Sequence, residues 1–208
     1  MEKFTSLQGV AAPMLSVNIN TDLIAPSLVP GKDLVDIPLI PLKDKMFANL
    51  RYDASGAEKP DFVLNQPRYR NAQILLAGPN FGCGSSRETA VWSLMEYGIR
   101  CVIAPSFGDI FHDNAFQNGL LPVKLEMAQI RRIAQAIERS NNAEMTVDLQ
   151  RGVLEVPGLE PIRFQIAEER RLPLLQGLDQ LSVILRDAAE IIAFEQRDAA
   201  ENPWRYPN

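Results

Sequence analysis

Between residues 73 and 139 a short apolar run is followed three times by an amphipathic stretch, and this alternation restricts the fold more than any other feature of the chain. Gln73-Ile74-Leu75-Leu76-Ala77 ends at Gly78-Pro79 and reads as a buried strand. A helix is expected from about Ser85 to Tyr97, with Val91, Leu94, Met95 and Gly98 at helical spacing. Cys101-Val102-Ile103-Ala104 is the next strand, closed by Pro105. A helix over Gly108 to Gln117 offers Ile110, Phe111, Ala115 and Phe116 for packing, and Gly119 stops it. Leu120 to Leu125 reads as the third strand, and Met127 to Arg139 as a helix apolar at Ile130, Ile133, Ala134 and Ile137. Parallel neighbours need such crossovers, so the pattern predicts an α/β fold with parallel strands.

The flanks are less regular. Leu15-Ser16-Val17-Asn18-Ile19 alternates and predicts a strand running into the polar turn Asn20-Thr21-Asp22. Six prolines between residues 26 and 67 predict a long irregular excursion. After residue 139 the pattern changes to a β-hairpin, Met145 to Leu149 and Val153 to Val156 around Gln150-Arg151-Gly152, with Ile162 to Ile166 as a third strand. Helices are expected from about Glu168 to Gln176 and Asp187 to Arg197, with Arg170 and Arg171 on a solvated face and a loose tail from Asn202 to Asn208. A length of 208 residues fits one domain, 1–208.

Composition excludes several classes. A net charge of −5 without a basic cluster argues against nucleic acid and acidic membrane surfaces as partners. No apolar run approaches the length of a membrane span, and Met1 to Thr5 shows no signal-peptide h-region, so a cytoplasmic location is expected. Two cysteines, Cys83 and Cys101, are too few for a disulfide framework or an iron–sulfur cluster, and the lone His112 makes a histidine metal site within the chain unexpected. Cys101 reads as core, Cys83 as a small packing residue, His112 as a solvated or partner-facing helix residue, and Asp109 as a charge at a helix start.

The turn Asn80-Phe81-Gly82-Cys83-Gly84-Ser85-Ser86-Arg87-Glu88 concentrates the polar chemistry. Ser85 and Glu88 have capping-box spacing, Gly82 and Gly84 permit unusual backbone angles, and Arg87 presents a planar fork suited to a carboxylate. A helix start here could bind an anion through its free amides or stabilise a serine alkoxide. The same residues also fit a purely structural cap, and the turn alone leaves both readings open. It is not a dinucleotide fingerprint, since Arg87 stands where glycine or alanine is required, and neither a P-loop nor a Gly-x-Ser-x-Gly elbow is present.

Taken together, three further segments resemble one family. Asn80 to Glu88 is similar to the serine loop of aconitases and isopropylmalate isomerases. Asn18 to Pro26 resembles the first loop of these hydro-lyases, Ala104 to Phe111 with Asn118 to Pro122 a third segment, and Gly177-Leu178-Asp179 the C-terminal part. The resemblance implies a swivelling β/β/α three-layer domain with a mainly parallel sheet and a C-terminal hairpin and helices. The nearest member type is the small subunit of the leucine-pathway isomerases. It would be active only with a large subunit that carries a [4Fe-4S] cluster, with no cofactor or metal held by this chain. By the same resemblance Ser85 is the general base, Ser86 and Arg87 bind the hydroxy-dicarboxylate substrate, and Thr21, Asp22 and Gly84 support them. Ser27, Leu28 and Val29 fall in the loop that selects the substrate's side group. Two positions depart from the pattern. Thr89 replaces a common histidine, and Pro26 to Lys32 lacks the usual lysine after the proline, which leaves 2-methylmalate, dimethylmalate or homoaconitate as related substrates, with a non-catalytic, partner-binding paralogue as the other reading.

Overall fold

The computed structural model describes residues 1–33 and 39–205. Its strands are β1 Ser6–Met14, β2 Ala72–Ala77, β3 Cys101–Ala104, β4 Leu121–Lys124, β5 Glu144–Asp148, β6 Val153–Glu155 and β7 Ile162–Arg163. Its helices are α1 Thr21–Ile24, α2 Leu42–Lys45, α3 Ala48–Arg51, α4 Thr89–Tyr97, α5 Asp109–Asn118, α6 Met127–Arg139, α7 Glu168–Gln176, α8 Gln180–Ile184 and α9 Ala188–Glu201. The strands form one sheet in the order β4-β3-β2-β1-β5-β6-β7. The β1 to β4 half is parallel, and β5, β6 and β7 extend it antiparallel from the other side of β1.

Burial explains the two halves. Ile74 to Ala77 and Cys101 to Ala104 are buried without alternation, because both faces of the parallel half are covered. In β5 only Met145 and Val147 are buried while Glu144, Thr146 and Asp148 are half-exposed, so that part has one covered face. The amphipathic α6 buries Ile130, Ile133, Ala134 and Ile137 and packs against β1, β2 and β3. The α/β alternation, the hairpin and α7 stand where the sequence predicts them.

The strand expected at Leu15 to Ile19 does not form; the chain enters the sheet earlier, as β1. The reason lies in composition. β1 reads Ser-Leu-Gln-Gly-Val-Ala-Ala-Pro-Met, with small residues and a proline where a central strand normally carries branched side chains. Ala11 and Ala12 are nevertheless fully buried, and β1 pairs with β2 on one side and β5 on the other, with a register shift between Val10 and Ala11. The third hairpin strand is also shorter than expected, ending at Arg163.

The described residues of the excursion join the main hydrophobic core. Met46, Phe47, Ala48 and Leu64 are fully buried, and α2 packs on α4. The buried Arg51 ties this layer together: it donates to the Lys43 carbonyl at 3.0 Å and lies over the rings of Tyr52 and Tyr97. Arg170 and Arg171 likewise do more than face solvent. Arg170 pairs with Asp113 at 2.6 Å, and Arg171 donates to the carbonyls of Leu149 and Gln150, holding α7 to the hairpin turn. In the tail, Pro203 to Arg205 make a single turn tied to Asp198, and residues 206–208 lie outside the described residues. α8 and α9 bury none of their residues.

Because α6 closes the sheet through a few fully buried aliphatic groups, Ile133→Ala is expected to lower the unfolding free energy by about 2–5 kcal/mol. Urea unfolding should show a lower midpoint at unchanged slope; a loss well below 1 kcal/mol, on the order of a surface substitution, would contradict this packing role.

Candidate active site

β1, β2 and β3 run parallel, so the segments leaving Met14, Ala77 and Ala104 emerge at the same edge of the sheet. Backbone pairing continues past the strand ends. Asn18 N–H donates to the Pro79 carbonyl at 3.0 Å, Gly82 N–H to Ile19 at 2.7 Å and Thr21 N–H to Cys83 at 2.8 Å. On the other side, Phe81 N–H donates to Ser106 at 3.0 Å and Gly108 N–H to Phe81 at 2.9 Å. The side chains of Asn18, Asn80 and Ser106 add a brace: Asn80 Nδ2 donates to Asn18 Oδ1 and Asn80 N–H to Ser106 Oγ, both at 2.9 Å. Asn18 and Asn80 both sit at positive φ, which asparagine tolerates better than most residues. Crevices beyond the C-terminal ends of parallel strands are the usual ligand sites of α/β sheets.

Beneath these loops the rings of Phe81, Phe107 and Phe111 pack within 6.4 Å of one another, centroid to centroid. Gly82 lies against this aromatic floor. Its φ is +72°, and a Cβ there would fall 2.2 Å from Phe111 Cγ, so no other residue fits.

The expected helix from Ser85 begins four residues later, at Thr89, and the Ser85–Glu88 capping box does not form. Glu88 instead accepts a hydrogen bond from Asn118 Nδ2 at 3.3 Å. Ser85 is therefore not set among the free amides of a helix start. Its polar partners are side chains from two segments. Ser85 N–H donates to Thr21 Oγ1 at 3.0 Å, the two hydroxyl oxygens are 3.0 Å apart, and Arg87 Nε donates to Ser85 Oγ at 2.9 Å. Arg87 Nη1 donates to Ser27 Oγ at 3.2 Å, and Nη2 pairs with Asp22. Asp22 is held in the first turn of α1, which Asn20 caps through Leu23 N–H at 2.8 Å. A guanidinium carries five N–H groups, so these contacts leave one donor on each Nη atom for a further acceptor such as a carboxylate oxygen.

The site residues expected from sequence thus divide. Thr21, Asp22, Ser27, Ser85 and Arg87 meet in one hydrogen-bonded set, with Gly84 in the turn and Ser86 exposed beside it. Leu28 is 59% exposed, whereas Val29 is buried and lines, with Pro30, Lys32, Leu39 and Pro41, a hollow of about 470 Å³. The Asn18–Asn80–Ser106 brace was not expected; the preference of asparagine for positive φ was its one signal in the sequence. Cys101 is buried in β3, where burial pushes its thiol well above the ordinary range. Among the described residues no group of three or more His, Cys, Asp or Glu side chains could hold a metal ion, and no helix is long and apolar enough to cross a membrane.

Comparison with known proteins bears on this geometry. Residues 1–128 match the family described as the aconitase C-terminal domain. The 3-isopropylmalate dehydratase small subunit of Rhodospirillum centenum is 49% identical over 204 residues, covering 98% of each chain. The chain belongs to the 3-isopropylmalate dehydratase small-subunit family. The small subunit from Dinoroseobacter shibae is 48% identical, covering 98% of this chain and all of that one. A crystal structure of 3-isopropylmalate dehydratase from Methanocaldococcus jannaschii shares the fold, with a TM-score of 0.61 at 21% identity over 92% of this chain and 99% of that one.

His112, expected as a solvated or partner-facing helix residue, is half-buried. Its ring packs against Phe107 and edge-on to Phe116, with centroids 5.5 and 5.0 Å away. Burial holds its pKa below the ordinary 6.5, Lys124 and Arg170 lower it further, and Asp113 and Asp109 oppose them. Below the ordinary value the unfolded chain takes up the proton first, so His112 makes stability fall as pH drops through about 6.5 toward the folded value. His112→Phe should flatten the dependence of urea midpoint on pH between about 7 and 5. An unchanged slope would refute the contribution of this ring.

Proposed function

We propose that this chain is the small subunit of a two-subunit hydro-lyase that interconverts 2-isopropylmalate and 3-isopropylmalate by dehydration and rehydration in leucine biosynthesis, in the cytoplasm. The observation that carries the chemistry is the Ser85–Arg87 contact: a hydroxyl oxygen 2.9 Å from a guanidinium Nε whose two Nη atoms, bonded to Ser27 and Asp22, each keep one further N–H. Similarity to small subunits over nearly the whole chain supports the assignment of the reaction and of a large-subunit partner.

In this reading Ser85 Oγ, as the alkoxide, takes the proton from the carbon next to a substrate carboxylate as the neighbouring hydroxyl departs, and returns it during rehydration. A serine hydroxyl is a weak base, so the alkoxide requires nearby positive charge, and Arg87 supplies it. The outer edge of the same guanidinium receives the carboxylate, with Ser86 beside it. A [4Fe-4S] cluster held by the large subunit would provide the Lewis acid for the departing hydroxyl. The thiols of this chain do not suit such a cluster, with Cys101 enclosed in the core and Cys83 in the site turn. The exposed Leu28, next to the Ser27 that bonds Arg87, favours an apolar substrate branch over a third carboxylate.

The test is reconstitution with a large subunit. Ser85→Ala should co-elute with its partner yet lose at least about 10²–10⁴-fold in turnover, the range for removing a general base. Unchanged turnover would refute the base role. In a panel of hydroxy acids, preference for homoaconitate over isopropylmalate would overturn the substrate assignment.

A further inference from the structure

The hydroxyl of Thr21 has its direction set by its surroundings. Thr21 is 1% exposed, so its hydrogen has little access to water. Its oxygen already accepts the Ser85 backbone N–H at 3.0 Å. If the Ser85 hydroxyl also donated to Thr21, the threonine oxygen would accept twice while its own hydrogen, on a buried side chain, lacked the Ser85 oxygen as a partner, an unfavourable arrangement. The reverse order satisfies every group: Thr21 O–H donates to Ser85 Oγ across 3.0 Å, and Arg87 Nε donates to the same atom at 2.9 Å. The Ser85 proton is then engaged with neither donor, and because Ser85 is exposed it can pass to water when the serine ionises. That is the proton the serine must lose to become a base.

Thr21 is also held in place for this task. Its backbone N–H donates to the Cys83 carbonyl at 2.8 Å while its side chain receives Ser85 N–H, so α1 and the serine turn grip each other at two points. Asn20 caps the same short helix.

We infer that the Thr21 hydroxyl donates a hydrogen bond to Ser85 Oγ and, with Arg87 Nε, forms a two-donor hole that stabilises the serine alkoxide. This rests on the assignment of Ser85 as the base. Removal of one donor from such a hole typically slows turnover by about 10²–10³-fold. The loss falls on kcat rather than KM, because the donor sets how readily Ser85 ionises to the alkoxide and does not touch bound substrate.

The experiment compares two substitutions in the assembled two-subunit enzyme. Thr21→Val keeps the shape and removes the hydroxyl; Thr21→Ser keeps the hydroxyl and removes the methyl. Thr21→Val should lower kcat about 10²–10³-fold with KM changed only a few-fold, and move the ascending limb of the kcat/KM pH profile to higher pH. Thr21→Ser should recover most of the lost rate and leave the pH limb in place. A packing role gives the opposite ranking, with Thr21→Ser the more damaged variant, and that result, or near-normal kcat for Thr21→Val, overturns the inference. If Thr21→Val does not assemble, Thr21→Cys, whose thiol is a poor donor, is expected to show the same loss in kcat. The Ser85→Ala background separates the two readings. There Thr21→Val should cause no further loss, because its effect passes through Ser85. A Ser85→Ala enzyme with full turnover would defeat the base assignment itself. An inactive Ser85→Ala enzyme together with an unimpaired Thr21→Val enzyme would defeat only the role of Thr21.

Discussion

Everything that makes this chain chemically interesting depends on backbone pairing that does not stop where the strands stop. β1 and β2 separate after Met14 and Ala77, yet Asn18, Ile19 and Thr21 remain bonded to Pro79, Gly82 and Cys83, and the next segment is joined through Phe81, Ser106 and Gly108. These bonds fix the distance between Thr21 and Ser85, 64 residues apart in sequence, to 3.0 Å. The aromatic floor then removes freedom from below. With Phe111 pressed against Gly82, the turn cannot collapse inward, and its hydroxyls stay at the surface. Gly78 allows the same closeness one step earlier, where a Cβ would lie 2.3 Å from the Ser16 carbonyl oxygen. The site is accordingly set by backbone, and side chains only complete it.

The legibility of the sequence follows from the same division. Elements whose signal is side-chain periodicity or an unbroken apolar run are readable: α6 with its four buried aliphatic residues, α7, the hairpin, and the buried runs β2 and β3. β1 is not, because its signal is the absence of bulk. Its Gly, Ala and Pro serve close approach and two-sided pairing, which leave no periodic trace. The same failure explains the misplaced start of α4. Ser85 and Glu88 have the spacing of a cap, but spacing cannot reveal that Thr21 and Asn118 compete for them from distant segments.

The members of the candidate site could be proposed from family resemblance, and their arrangement could not. Ser85, Arg87, Asp22 and Thr21 could each be named, but only the fold shows that their bonds converge on Ser85 Oγ and the Arg87 guanidinium. The excursion gives the converse case. Its prolines suggested irregularity, and its helices are indeed one turn long, but buried Met46, Phe47 and Leu64, with a buried arginine over two tyrosine rings, order them without a periodic pattern.

Exposure finally decides what this candidate site can do alone. Arg87 and Asp22 are 39% and 63% exposed at the side chain, and an ion pair so open to water contributes little and exchanges readily for another carboxylate. Ser85 is exposed as well, and in that setting water competes with the protein donors for its oxygen. Two fixed donors hold an alkoxide far more strongly once the solvent is gone, because the same charges interact through a lower effective dielectric constant. The arrangement is therefore preorganised but weakly powered until something covers it. A large subunit closing over the turn would contribute more than its own residues: by excluding water it would strengthen the contacts that this chain has already made.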